Sequence, residues 1–255
     1  MPAHLIAFSS VVPTDTLQEL TALKDDVLTR TSDNRYLVPG EINNVHYAAA
    51  LSTALSDAYL FAPSFEVKRT RPRIIPSEVS QLKFDLGNPK VCEFKPSLTL
   101  VPTEELSFYG KASANVRVVG LALLGSTALE APPSGEVRVV RCTSNTTLIP
   151  FEWTTCKLTP DISLEAGTYA LVGFKAISDN AIAARVIVRG QLYRPGVPAL
   201  AGREPAVWAH GKRYDELCKL MNFGTFGHLD IPEIQFLSSA ADDTEVVYLY
   251  LVKTG

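Results

Sequence analysis

The chain has few cysteines, four in 255 residues. Cys92, Cys142, Cys156 and Cys218 form no C-x-x-C pair, and none has a histidine at metal-ligand spacing. Cys142 and Cys156 are placed to approach each other on neighbouring strands. The expectation is nonetheless four reduced, mostly buried thiols in a cytosolic product, with no bound cofactor. There is also no run of about 18 apolar residues, so no segment reads as a spanning helix. The opening MPAHLIAFSSVV has no basic region ahead of a short apolar run, so it does not read as a signal peptide. Asn145-Thr146-Thr147 fits a glycosylation acceptor but, without a secretory signal, reads as a turn.

Catalytic spacings are missing too. There is no G-x-S-x-G, no H-E-x-x-H, no phosphate-binding loop and no dinucleotide-binding glycine pattern, so the chain does not read as an enzyme. The four histidines, His4, His46, His210 and His228, are isolated. His210 and His228, with Asp215 or Asp230, are the one set that could converge on a metal; histidines tying loops together are commoner, and no metal is expected. Glu104-Glu105 and Asp242-Asp243 sit in turn-like contexts and read as solvated pairs rather than as an acid/base couple. Net charge is −3, which gives no global pull toward nucleic acid or an anionic membrane.

What the chain does contain is β pattern. From 81 onward the hydrophobic period is two. Candidate strands are 81–86, 97–101, 106–109, 116–124, 136–142, 152–158, 168–176, 182–188, 233–238 and 246–252, separated by turns such as Gly87-Asn88-Pro89 and Pro132-Pro133-Ser134-Gly135. The clearest stretch is 164–195, where TYALVGFKA and AIAARVIV flank Ser178-Asp179-Asn180 and read as a hairpin. The fold expected is mainly β, a jelly-roll-type antiparallel β-sandwich over 76–255. Trp153 falls within a strand and belongs to its core.

Residues 1–75 read as an N-terminal arm with two helices. Thr16 and Glu19 form a capping box ahead of Leu17, Leu20, Leu23 and Val27, which predicts a helix over 16–28. The second, opened by Asn43 or Asn44, runs to 61 with a broad apolar face and stops at Pro63. Between the helices and the sandwich lies EVKRTRPR, where Lys68, Arg69, Arg71 and Arg73 are candidates for phosphate or lipid-headgroup contact; an exposed edge that must not pair is the plainer reading. The segment 196–228, with a short helix over 212–222, reads as an insertion surplus to the sandwich. Its Trp208, Tyr214, Leu217, Met221, Phe223 and Phe226 are the candidate interface residues.

The hairpin TYALVGFKAISDNAIAARVIVRGQ, the RPGVP loop and the closing strands DIPEIQF and EVVYLYLV resemble the jelly-roll coat proteins of tailless icosahedral viruses and bacteriophages. The likeness covers mainly 80–255. It implies a structural virion protein, a major capsid subunit made in the host cytoplasm. Its partners would be itself in a homo-oligomeric shell and other virion proteins, with genome or internal membrane as a further contact. The strand count favours one sandwich with additions over two. The rival reading is a lectin-like or spike module that binds a receptor.

Overall fold

The computed structural model describes residues 2–78, 91–202 and 221–255. These divide into two compact units, one formed by 2–78 and 91–128, the other by 129–202 and 221–255. The division falls after Ala128, not near 75. Both units are β-built, and the described residues contain one short α-helix, α1 (Pro63–Val67), and a single 3-10 turn at Gly40–Ile42.

The N-terminal unit holds β1 (Ala3–Val12), β2 (Leu17–Glu19), β3 (Arg30–Ser32), β4 (Arg35–Leu37), β5 (Asn44–Ser52), β6 (Leu55–Phe61), β7 (Pro76–Glu78), β8 (Val91–Thr99), β9 (Glu105–Ala112) and β10 (Val116–Gly125). One sheet runs β1-β10-β5, with β7 and β8 both pairing β5; the other groups β2, β4 and β6 around β9, with β3 beside β4. The two helices expected over 16–28 and 43–61 are therefore corrected to strands and connections. The reason lies in burial. Leu5, Ala7, Leu121, Leu123 and Ala49 project to one face of the first sheet and Ile6, Phe8, Ala122 and Ala48 to the other, and all are buried. A strand buried on both faces shows no alternation, and NVHYAAALS then matches a buried helix as well as a strand.

The sheets meet where Phe8 of β1 packs on Phe108 of β9 (ring centroids 5.7 Å) and edge-on to Tyr36 of β4 (5.1 Å). Gly120 of β10 lies under the Phe108 ring; a Cβ there would come within 2.7 Å of it. Tyr36 closes the core by donating its hydroxyl proton to the carbonyls of Ala7 and Leu23.

The C-terminal unit holds β11 (Val137–Thr143), β12 (Thr154–Cys156), β13 (Thr159–Pro160), β14 (Thr168–Ser178), β15 (Ala181–Ile187), β16 (Gly196–Pro198), β17 (Leu200–Ala201), β18 (Gly224–Gly227), β19 (Glu233–Ser238) and β20 (Val246–Lys253). One sheet is β13-β11-β20-β14-β17 with β18 also on β14; the other is β12-β19-β15-β16. Nine of the ten expected strands appear; 81–86 lies outside the described residues. The expected hairpin does not pair with itself. β14 pairs with β20, β17 and β18, while β15 pairs with β19 and β16, so the turn at 178–180 is an arch that carries the chain from one sheet to the other. Nor is 196–228 an insertion: its described ends are β16, β17 and β18, all inside sheets.

Two substitutions test this packing by urea denaturation. Phe174 of β14 is fully buried and edge-on to Phe223 (5.2 Å), so Phe174→Ala costs about 3–5 kcal/mol in the C-terminal unit's transition. Gly120→Ala forces the Phe108 ring aside and costs about 1–3 kcal/mol in the N-terminal unit's. A loss under about 0.5 kcal/mol at either position overturns the corresponding packing.

Candidate functional site

The interface candidates come apart in the structure. Trp208, Tyr214 and Leu217 lie outside the described residues. Met221, Phe223 and Phe226 are corrected as surplus surface: they are 1%, 2% and 5% exposed. Phe226 stacks on Tyr169 (6.2 Å) and Phe223 meets Phe174, so these aromatics complete the core of their own unit. The apolar content of 221–226 is therefore needed for folding.

The histidine and carboxylate candidates also have structural employment. His228 Nδ1 accepts the Gly167 N–H at 3.4 Å, and Asp230 pairs with Arg189 at 3.0 Å on an exposed loop. Their proposed companions His210 and Asp215 lie outside the described residues, among which no group of three or more metal-ligating side chains forms. Glu104 accepts the Ser64 N–H at 2.9 Å and the Ser64 hydroxyl at 2.6 Å, capping α1 from outside, and accepts the Val101 N–H. Glu105 accepts Arg35 Nη1 at 2.9 Å, and Arg35 Nε reaches Glu19 at 2.8 Å. The Arg35 hydrogen bond holds the Glu105 carboxyl below its ordinary range.

Cys142 and Cys156 lie on β11 and β12, in different sheets, and both are free thiols, as is Cys92. Burial pushes the Cys142 thiol up to about 12 and the Cys156 thiol up to about 11, so neither is a nucleophile near neutral pH. Trp153 is half-buried beneath the Arg185 guanidinium, 4.2 Å from its ring centroid. Arg185 is fully buried and gives its Nε–H to Gln235 at 2.7 Å, the same oxygen that accepts Arg194 Nη1. An arginine inside the apolar run AARVIV marked a special position, but its partners, at 194 and 235, are too distant in sequence to have been named.

Of two further polar groupings, one had no sequence signal beyond its residue types, and the other, expected as part of a solvated carboxylate pair, is corrected to a buried anchor. His4 Nε2 lies 3.0 Å from Asp25 Oδ2, both side chains wholly enclosed, while Asp25 Oδ1 caps the N–H groups of Val27 and Leu28. The second is Asp242. Its carboxylate takes hydrogen bonds from the Ser178 hydroxyl, the Asn180 N–H (2.8 Å), the Asp243 N–H (2.8 Å), the Thr244 N–H (3.1 Å) and the Thr244 hydroxyl (2.7 Å). Burial raises its proton affinity, but these donors outweigh burial and hold the carboxyl below its usual range. Asp242 thus pins the β14–β15 arch to the loop before β20.

Three residues on, Glu245 has the opposite environment. It is 1% exposed, and neither carboxyl oxygen finds a partner in another residue. Burial lifts its carboxyl to about 7, and the charges of Asp242 and Asp243 add to the rise.

The basic residues Lys68, Arg69, Arg71 and Arg73 are all exposed. Lys68 Nζ donates to the Thr99 carbonyl at 3.1 Å, the Arg71 guanidinium sits 5.9 Å over Tyr59, and Arg73 lies 4.0 Å from Asp57.

The Glu245 environment sets a pH dependence. With a folded value near 7 and an ordinary value near 4.5, its contribution is intact below about pH 4.5 and is lost as pH rises through 7. Glu245→Gln removes that loss. Relative to wild type, the variant gains about 2–3 kcal/mol between pH 4.5 and pH 8, read from urea unfolding midpoints. A stability difference that stays flat over that interval contradicts the assignment.

No family model and no curated protein matches the chain. Among solved structures, it is similar to a Paenibacillus xanthan lyase at 14% identity and a TM-score of 0.23, covering 96% of this chain and 25% of that one. The chain thus spans a quarter of the lyase's length. It is also similar to the major capsid protein of Bacteriophage PM2 at 11% identity and a TM-score of 0.22, covering 99% of this chain and 98% of that one.

Proposed function

We propose that this protein is a structural subunit, a jelly-roll-type coat protein that self-assembles into the icosahedral shell of a virion formed in the host cytoplasm. The observation that carries the reading is the succession of two β-sandwich units of near-equal span, divided after Ala128. Such a chain offers two rigid blocks whose loops are free to vary, and repeated heterologous contacts between identical copies close into rings and shells.

The use of polar groups agrees with a scaffold. Apart from Glu245, the carboxylates and histidines described above tie strands and loops to one another, and no substrate-facing constellation is needed to explain them. Aliphatic side chains at loop tips supply contact points: Leu192 is 65% exposed and Leu229 85%, on the two loops that the Arg189–Asp230 pair joins. Bare leucines on a soluble surface are the kind of anchor that a neighbouring subunit covers.

The rival reading, a glycan-binding or spike module, has one specific observation in its favour. Tyr59, Phe61 and Tyr109 alternate with the core-facing Leu60 and Phe108, so they cluster on the opposite face of the β9 sheet, with the Tyr59 and Tyr109 rings stacked at 5.1 Å.

Sedimentation velocity and negative-stain imaging of the purified protein separate the two. Large regular particles are expected from the wild type. The double variant Leu192→Asp, Leu229→Asp is expected to stay a small species with an unchanged melting temperature. A wild-type protein that remains monomeric at high concentration and is retained on a glycan array makes the spike or lectin reading the right one.

A further inference from the structure

We infer that the segment 67–75 is a docking surface for an anionic lipid bilayer. The inference stands on this segment alone and does not require that the protein assemble.

The segment is built to present charge outward from a fixed base. α1 is anchored by Phe65, 3% exposed, and by Ala62 just before it. The helix closes through Lys68 N–H to the Ser64 carbonyl (3.1 Å), Arg69 N–H to the Glu66 carbonyl (2.9 Å) and Thr70 N–H to the Phe65 carbonyl (2.7 Å). Arg69 takes a left-handed backbone at φ +50°, which reverses the chain there. The return leg is tied to β6 by Ile74 N–H to the Ala58 carbonyl (2.8 Å) and Leu60 N–H to the Pro72 carbonyl (3.1 Å). Along this leg burial alternates: Pro72 and Ile74 are buried, and Arg71, Arg73 and Ile75 are exposed. Two buried anchors thus hold three side chains out on the opposite side.

Four cations in six residues stand out in a chain whose net charge is −3. Glu66 on α1 precedes the run and Asp57 on β6 lies 4.0 Å from Arg73, which still keeps 76% of its side chain exposed. Phosphate is the chemistry that complements such a cluster. Its flanks decide between phosphate-bearing partners. Val67 is 84% exposed and Ile75 59%, one at each end of the cationic run. Bare aliphatic side chains beside cations match the boundary between headgroups and acyl chains. Nucleic acid offers them nothing. A single strand would seek exposed aromatic faces, and the nearby Tyr59 is 9% exposed, packed between Tyr109 and Arg71.

The test uses the full-length protein in flotation with vesicles of 30% phosphatidylserine in phosphatidylcholine, against vesicles of phosphatidylcholine alone. Each cation near such a surface contributes about a fivefold factor in affinity. Arg69→Glu with Arg71→Glu is therefore expected to weaken binding to the anionic vesicles by more than about twentyfold, and high salt to abolish it. Val67→Ser with Ile75→Ser is expected to weaken vesicle binding several-fold while leaving retention on duplex DNA unchanged. All four positions are exposed, so circular dichroism melts should match wild type and folding loss is checked separately. Equal binding to both vesicle types, undiminished binding by the charge-reversed variant, or duplex DNA bound more tightly than the vesicles overturns the inference.

Discussion

Burial on both faces is the constraint on which both units depend. β1, β5 and β10 in one unit and β14 and β15 in the other leave almost no side chain exposed. Their amides can be satisfied only along the ladder, and their side chains must be apolar or small enough to fit between layers. Alanine supplies the small volume at 48, 49, 50 and 122, and Gly120 removes a side chain altogether where Phe108 needs the space. The polar groups admitted to these strands carry partners with them: His4 has Asp25, Ser178 has Asp242, and Arg185 has Gln235 and the Trp153 face.

The same constraint explains what could be read beforehand. The strands at 106–109, 116–124, 136–142 and 246–252 were legible because turns bound them and β-branched or aromatic residues fill them. The strands at 44–61 were not, because ALSTAL and YAAAL satisfy a helix's spacing as readily as a doubly buried strand's. That one ambiguity hid β5 and β6, and with them the second unit. Misreading the 164–188 stretch as a hairpin had a different cause. Ser178-Asp179-Asn180 is good turn chemistry, but a turn's residues say where the chain reverses, not whether the flanking strands pair. That is decided by β20 and β19, at least 46 residues away along the chain.

The site was less legible than the fold. The exposed cations at 68–73 were visible as a charge run, because surface charge needs no tertiary partner to be noticed. The aromatics at 223 and 226 looked like surplus only because the sandwich seemed complete without them; pairing of β18 with β14 puts them inside. Asp242 and Glu245, nearly adjacent and chemically alike, end in opposite protonation preferences. The difference is made by five donors that converge on one of them from the arch and its own loop, and no local pattern announces that.

The position of β20 has a kinetic consequence. It is the last of the twenty strands among the described residues, yet it lies between β11 and β14, hydrogen-bonded to both. Until it arrives, its two neighbours each expose an unpaired edge, and one of them, β14, already carries apolar side chains on both faces. The C-terminal unit therefore closes this sheet only once β20 has paired with both neighbours, across sequence separations of 69 to 115 residues, which makes its folding slow and its half-formed state prone to capture a foreign strand.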